Sequence, residues 1–75
     1  MTERDFDTYQ FIISYIQQNG YPPTVREIAD GIGVASTSTV SNRLLKLDRD
    51  GWIKVKLSSS RAIKVIGYKF VKDGG

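Results

Sequence analysis

Gly20-Tyr21-Pro22-Pro23-Thr24-Val25-Arg26-Glu27-Ile28-Ala29 is the stretch on which the fold turns. Pro22 and Pro23 have no amide hydrogen, and each proline disfavours helical backbone in the residue before it, so a helix cannot run through them. Gly20, just ahead, is the residue type that closes a helix in the left-handed conformation. Thr24 and Glu27 then have the spacing of a capping box, in which the Thr24 hydroxyl accepts from the Glu27 amide while the Glu27 carboxylate reaches back to the Thr24 amide. One helix therefore stops before this stretch and another starts inside it.

Upstream, Phe6, Tyr9, Ile12, Ile13 and Ile16 recur at spacings of three and four, which predicts a helix over about residues 3–19 with Thr2 as its cap. Downstream, Val25, Ile28, Ala29 and Ile32 give a short second helix over about 25–32, brought to a halt by Gly31 and Gly33. Ser36-Thr37-Ser38-Thr39 offers several capping oxygens before Val40, Leu44 and Leu47 resume the helical period, which predicts a third helix over about 37–50, stopped by Gly51. At about 100° per residue, Ser38, Ser41, Asn42, Leu45, Lys46 and Arg49 project from the side opposite the apolar stripe. Residues 52–57 and 61–71 then alternate apolar and polar around the turn Ser58-Ser59-Ser60 and predict a β-hairpin. Trp52, Ile53 and Val55 are expected to pack under the helices, Gly67 marks a bulge or end, and Tyr68, Phe70 and Val71 prolong the second strand. The fold class is mostly α with a β-hairpin: a three-helix winged helix-turn-helix in one domain covering residues 1–75.

Composition narrows the function. A chain of 75 residues holds one domain and buries only about 60% of its unfolded surface, so the core must be simple. The sequence has no Cys and no His, which excludes disulfide staples, zinc-bound nucleic-acid modules and Cys or His nucleophiles. No cofactor, metal or catalytic role is expected, since nothing orients Ser58, Ser59 or Ser60 towards a base. With no apolar run of membrane-spanning length and no signal pattern after Met1, the expected location is the cytoplasm of a bacterial cell, on the nucleoid when bound, with no membrane partner. The net charge of +3 is unevenly placed. Residues 1–42 carry Arg4 and Arg26 against Glu3, Asp5, Asp7, Glu27 and Asp30, a net −3. Residues 43–75 carry nine Lys and Arg against three Asp, a net +6, and form the candidate polyanion face.

In a winged helix-turn-helix the third helix enters the major groove of double-stranded DNA with its N-terminal end first. Asn42 then pairs with adenine, while Ser38, Thr39 and Ser41 are short enough to let the helix approach base edges. Thr24, Arg26, Lys46 and Arg49 are expected on the sugar-phosphate backbone, and Lys54, Lys56 and Arg61 flank the hairpin tip, where a wing follows the backbone. Two other readings stay open. Ser36 to Thr39 can be a helix cap and nothing more. The domain can also be a protein-interaction module that modulates a host repressor or nuclease.

The run from Asn19 to Ala29, followed by Ile32-Gly33-Val34 and Ser36-Thr37-Ser38-Thr39-Val40, resembles the N-terminal DNA-binding domain of LexA-type SOS repressors. The likeness continues through Leu44, Leu47, Gly51, Ile53 and Ser60-Arg61-Ala62-Ile63, about residues 2 to 66. It implies a transcriptional repressor on a palindromic operator, with Ser36, Ser38, Thr39, Ser41 and Asn42 facing bases and Arg49 a phosphate. Three departures matter. Ser41-Asn42-Arg43 stands where such domains often carry bulkier, charged or imidazole side chains, so an operator other than the usual SOS box is expected. Leu45 is apolar on the outward face and could meet a thymine methyl or a partner. The family's self-cleaving second domain has no room in 75 residues, so self-cleavage is not expected, and another source of the second half-site is needed. Leu45, Tyr68, Phe70 and Val71 are the candidate surface for a homodimer or a second regulatory protein. The small size suits a phage or another mobile element.

Overall fold

The computed structural model describes residues 1–67. The expected strand extension and partner surface at Tyr68, Phe70 and Val71 lie outside the described residues. Three helices, α1 (Glu3–Asn19), α2 (Val25–Ile32) and α3 (Thr37–Arg49), precede a two-stranded antiparallel hairpin of β1 (Ile53–Val55) and β2 (Ile63–Val65). This is the winged helix-turn-helix architecture expected from the sequence.

Local chemistry sets most boundaries. The Thr2 hydroxyl accepts from the Asp5 amide at 3.2 Å to start α1, and Gly20, at φ +80°, closes it by donating its amide to the Ile16 carbonyl at 2.8 Å. Both halves of the capping box at α2 are present. The Glu27 amide donates to the Thr24 hydroxyl at 3.1 Å, and the Thr24 amide donates to the Glu27 carboxylate at 2.8 Å. Of the two glycines expected to stop α2, only Gly33 does so, at φ +78°. Gly31 lies inside the helix, where a Cβ would overlap the Phe11 ring, so its role is to admit that ring.

Ile12, Ile28, Val40, Leu44 and Ile53 are fully buried, and Ala29, Leu47, Ile63 and Val65 close round them. The buried face of α1 differs from its apolar stripe. Phe6 is 48% exposed, and Asp5 and Thr8 are buried in its place. The reason is polar: the Asp5 carboxylate meets Lys46 at 3.0 Å, and the Thr8 hydroxyl donates to the Arg4 carbonyl and accepts from Arg43 of α3. Buried polar groups that find partners cost little, and here they turn α1 away from the stripe its apolar residues alone would choose. Trp52 also departs from expectation, lying 42% exposed with its ring edge-on to Tyr9 at 5.6 Å.

Within the described residues the strands are shorter than expected: β1 keeps only the middle of 52–57, and β2 begins at Ile63 and not at 61. Ile53, Lys54 and Val55 pair with Val65, Lys64 and Ile63, and single bonds from Ile66 to Trp52 and from Lys56 to Ala62 prolong the ladder at each end. A turn bond from the Ser59 amide to the Lys56 carbonyl and a left-handed Arg61, at φ +56°, end the regular pairing. The Asp48 carboxylate accepts from the Val55 amide at 2.8 Å, tying β1 to the last turn of α3.

The rotated face of α1 is testable by urea unfolding. Ile12→Ala is expected to cost about 2–5 kcal/mol, the range for truncating a fully buried aliphatic chain. Phe6→Ala is expected to stay within about 0.5 kcal/mol, as surface changes do.

Candidate nucleic-acid interface

Each side of α3 has its own neighbours. Arg43 and Lys46 turn towards α1, where they meet Thr8 and Asp5. Half-buried Thr39 shares their flank, one and two turns earlier. On the opposite flank, Asp48 bonds the wing, and Thr37 and Ser41 line a groove of about 390 Å³ between the starts of α2 and α3 and the wing. Between the two flanks, Ser38, Asn42, Leu45 and Arg49 form an exposed stripe at spacings of three and four. The stripe contains no carboxylate. Ser36 caps α3 with extended backbone but makes no side-chain cap bond, so its exposed hydroxyl is uncommitted.

The sequence-derived site is thus partly gathered and partly dispersed. Thr24, Arg26, Ser41, Lys56 and Arg61 border the one groove. Ser36, Ser38, Asn42, Leu45 and Arg49 lie on the exposed cap and stripe of α3. Lys46 is drawn away to Asp5, whose side chain is only 6% exposed. Burial pushes the Asp5 carboxyl up, but hydrogen bonds from Lys46 and Thr2 outweigh it and hold the group below its ordinary value. Arg49 keeps its charge outward, with Asp50 3.7 Å away and both side chains largely exposed. Such a pair contributes little.

Lys54 belongs to a feature that sequence spacing did not reveal. Its cross-strand partner is Lys64, so two exposed ammonium groups stem from directly opposed positions on the outer face of the hairpin. Like charges so placed repel and favour an anion between or above them. The register, which the overlong strand reading left unfixed, is the signal that would have paired them. Among the described residues, Arg26, Lys54, Lys56 and Lys64 enter no ion pair.

Arg61 has the densest set of contacts on the wing. Expected as a wing cation for DNA backbone, it turns back onto the helices in the free protein. Its Nη1 and Nη2 donate to the two Glu27 carboxylate oxygens at 2.7 and 3.1 Å. Nη1 also donates to the Pro22 carbonyl at 3.0 Å and the Tyr15 hydroxyl at 3.3 Å, and the guanidinium lies 4.7 Å from the centre of the Tyr21 ring. Tyr21 in turn stands edge-on to Tyr15 at 5.9 Å. Hydrogen bonding from Arg61, then from the Thr24 amide, lowers the Glu27 carboxyl to about 2, and the Glu27 carboxylate raises the Arg61 value in return.

Residues 1–62 match the family described as the LexA DNA binding domain. The chain is 51% identical over 70 residues to a LexA repressor of Clostridium kluyveri, covering 88% of this chain and 35% of the relative. It is 41% identical over 66 residues to a LexA repressor of Staphylococcus haemolyticus, covering 88% and 32%. With a LexA repressor of Bacillus mycoides the identity is 42% over 67 residues, covering 89% and 33%. The chain spans about a third of the length of these relatives. Among the described residues no helix is long and apolar enough to cross a membrane, and no cluster of acidic residues has metal-binding geometry.

The Glu27 carboxyl supplies a check on the Arg61 junction. Its folded value, about 2, lies below the ordinary 4.5, so the folded state binds this proton less readily than the unfolded chain does. The pair's stabilisation is therefore complete above about 4.5 and is lost as the pH falls towards about 2. Asp5 acts in the same direction, so the measurement is a comparison: thermal midpoints of the wild type should fall more steeply across this window than those of Glu27→Gln.

Proposed function

Since this chain belongs to the LexA DNA-binding domain family, we propose that it is a sequence-specific double-stranded-DNA-binding module of a transcriptional repressor, with α3 in the major groove and the wing on the sugar-phosphate backbone. The observation that carries the reading is the stripe Ser38, Asn42, Leu45 and Arg49, free of carboxylates, beside a groove bordered by Lys56 of a wing whose Lys54 and Lys64 also enter no ion pair among the described residues. A regulator, not an enzyme, fits this arrangement.

The roles follow from chemistry. Asn42 offers the paired donor and acceptor that match the N6 and N7 of adenine, Ser38 and Ser41 reach base edges, and Leu45 meets a thymine methyl from the same stripe. The uncommitted Ser36 hydroxyl stands at the helix start with the free amides of the first turn, a combination suited to the edge of the groove. Thr39, on the flank shared with Arg43 and Lys46, falls at the margin of the base-facing set. Arg26, Arg49, Lys54, Lys56 and Lys64 supply the phosphate contacts. The Thr24 hydroxyl, which accepts from Glu27, still has its own hydrogen to donate there. Lys46, neutralised by Asp5, contributes less. Single modules of this kind cover roughly 600–1,000 Å² of their own surface, and two copies on a palindromic operator are the arrangement by which they reach specific affinity.

Selection of random duplexes against the purified protein tests the reading. A defined motif with dyad symmetry is expected. With about five phosphate contacts, affinity for the selected duplex should fall roughly 500-fold between 50 and 200 mM salt, from a slope of about −0.9 per contact. Asn42→Ala should cost about 1–3 kcal/mol at one base pair and leave random DNA unaffected, whereas Lys56→Ala should weaken all sequences alike and flatten the salt slope by about one. Absence of any enriched or salt-sensitive duplex binding would turn the assignment towards a protein-interaction module.

A further inference from the structure

We infer that Arg61 is a positioning residue, which latches the wing to the α1–α2 turn and the start of α2 through the Glu27 carboxylate and so sets the span between the wing lysines and the reading face of α3. The inference rests on the DNA-binding reading for its functional consequence, but the latch itself is a property of the free protein.

The geometry separates a latch from a phosphate ligand. Both terminal nitrogens of Arg61 are directed at Glu27, and one also reaches the Pro22 carbonyl and the Tyr15 hydroxyl. One side chain from the wing thus holds α1, the turn after it, and the first turn of α2. The planar fork matches a carboxylate in a way a lysine cannot reproduce. The Arg61–Glu27 pair carries no net charge, so it adds nothing to the field that attracts a polyanion. Arg61 also adopts φ +56° and is the one non-glycine residue with positive φ among the described residues, a backbone conformation that persists where the surroundings hold it. The held segment matters because Lys56 bonds Ala62, the neighbour of Arg61, and both border the groove between wing and helices. Releasing Arg61 frees the wing tip to change the width of that groove while leaving the core residues Ile53, Ile63 and Val65 in place.

Binding of the selected duplex is measured for the wild type, Glu27→Gln, Arg61→Gln, Arg61→Lys and the Glu27→Gln/Arg61→Gln double variant at several salt concentrations. Gln at position 27 can still serve the capping box, so the first variant removes the fork's partner and spares the helix start. A latch predicts that each single variant loses about 2- to 30-fold in affinity, that the double variant is no weaker than Arg61→Gln, and that the salt slope is unchanged throughout. It also predicts that Arg61→Lys fails to restore binding although it keeps the charge. A direct phosphate contact predicts the reverse: Glu27→Gln binds as well or better, Arg61→Gln flattens the slope by about one, and Arg61→Lys rescues. Those results would overturn the proposal. Amide hydrogen exchange on the free protein separates this from failure of the DNA reading. In Glu27→Gln and Arg61→Lys the Lys56 amide should exchange faster while Leu44 keeps its protection, whether or not the wild type binds any duplex. Unchanged exchange at Lys56 would also overturn the latch.

Discussion

The carboxylate of Glu27 stands where the two halves of the domain meet. One of its oxygens accepts from the Thr24 amide and so completes the start of α2, and both accept from Arg61, which arrives from the far side of the chain. The first task needs only an oxygen acceptor, which glutamine supplies as well as glutamate does. The second needs two equivalent oxygens and a negative charge, because the fork of a guanidinium is matched by a carboxylate. The wing, and not the helix, therefore explains why position 27 is an acid. Since α2 positions α3 through the core and Arg61 holds the wing against α2, this side chain joins the Asp48–Val55 bond in relating the two elements that face outward.

The same contact changes the meaning of the charge division along the chain. The acidic first part and the basic second part are not two separate surfaces. Asp5 meets Lys46, and Glu27 meets Arg61, each pair crossing from one part to the other. Asp48 spends its charge on the Val55 amide. These three carboxylates thus neutralise or orient groups near the core, and among the described residues the cations that enter no ion pair include Arg26 and the lysines of the hairpin. Partially exposed pairs of this kind contribute little energy in water, so their value lies in direction more than in strength.

The parts of this fold that were legible in the sequence are those whose cause lies within a few residues. Thr2, Gly20, Thr24 with Glu27, and Gly33 each act on backbone groups close by, and the Val40, Leu44, Leu47 stripe needs only the helical period. What escaped the sequence depends on partners far along the chain. Phe6 gave up its place on the buried face because Asp5 and Thr8 meet cations of α3, and periodicity weighs only apolar residues. Gly31 reads as a helix stop until Phe11 is seen against it. The pairing of Arg61 with Glu27, 34 residues apart, leaves no trace in local spacing, and a cation beside a hairpin turn is naturally read as facing solvent. The outward stripe of α3 was accessible to a wheel calculation, but the assignment of its flanks, with Thr39 towards α1 and Ser41 towards the wing, required the neighbours themselves.

Two polar anchors at the hairpin follow from how little of it can be buried. Three-residue strands bring Ile53, Ile63 and Val65 into the core, while Leu57 and Ile66 stay exposed. Burial of so few side chains holds the hairpin down but does not aim it, because the hydrophobic effect has no preferred direction. Hydrogen bonds do have one, weakening steeply away from linearity. The Asp48 carboxylate on the Val55 amide aligns the last residue of β1 with α3, and the Arg61 fork on Glu27 aligns the loop that follows with α2. Two directional contacts running from one ribbon to two different helices remove the rocking freedom that one contact, or apolar packing alone, would leave. For the proposed DNA-binding surface, in which cations stand at a set spacing from a helix face, that orientation is worth more than the modest stability either bond supplies.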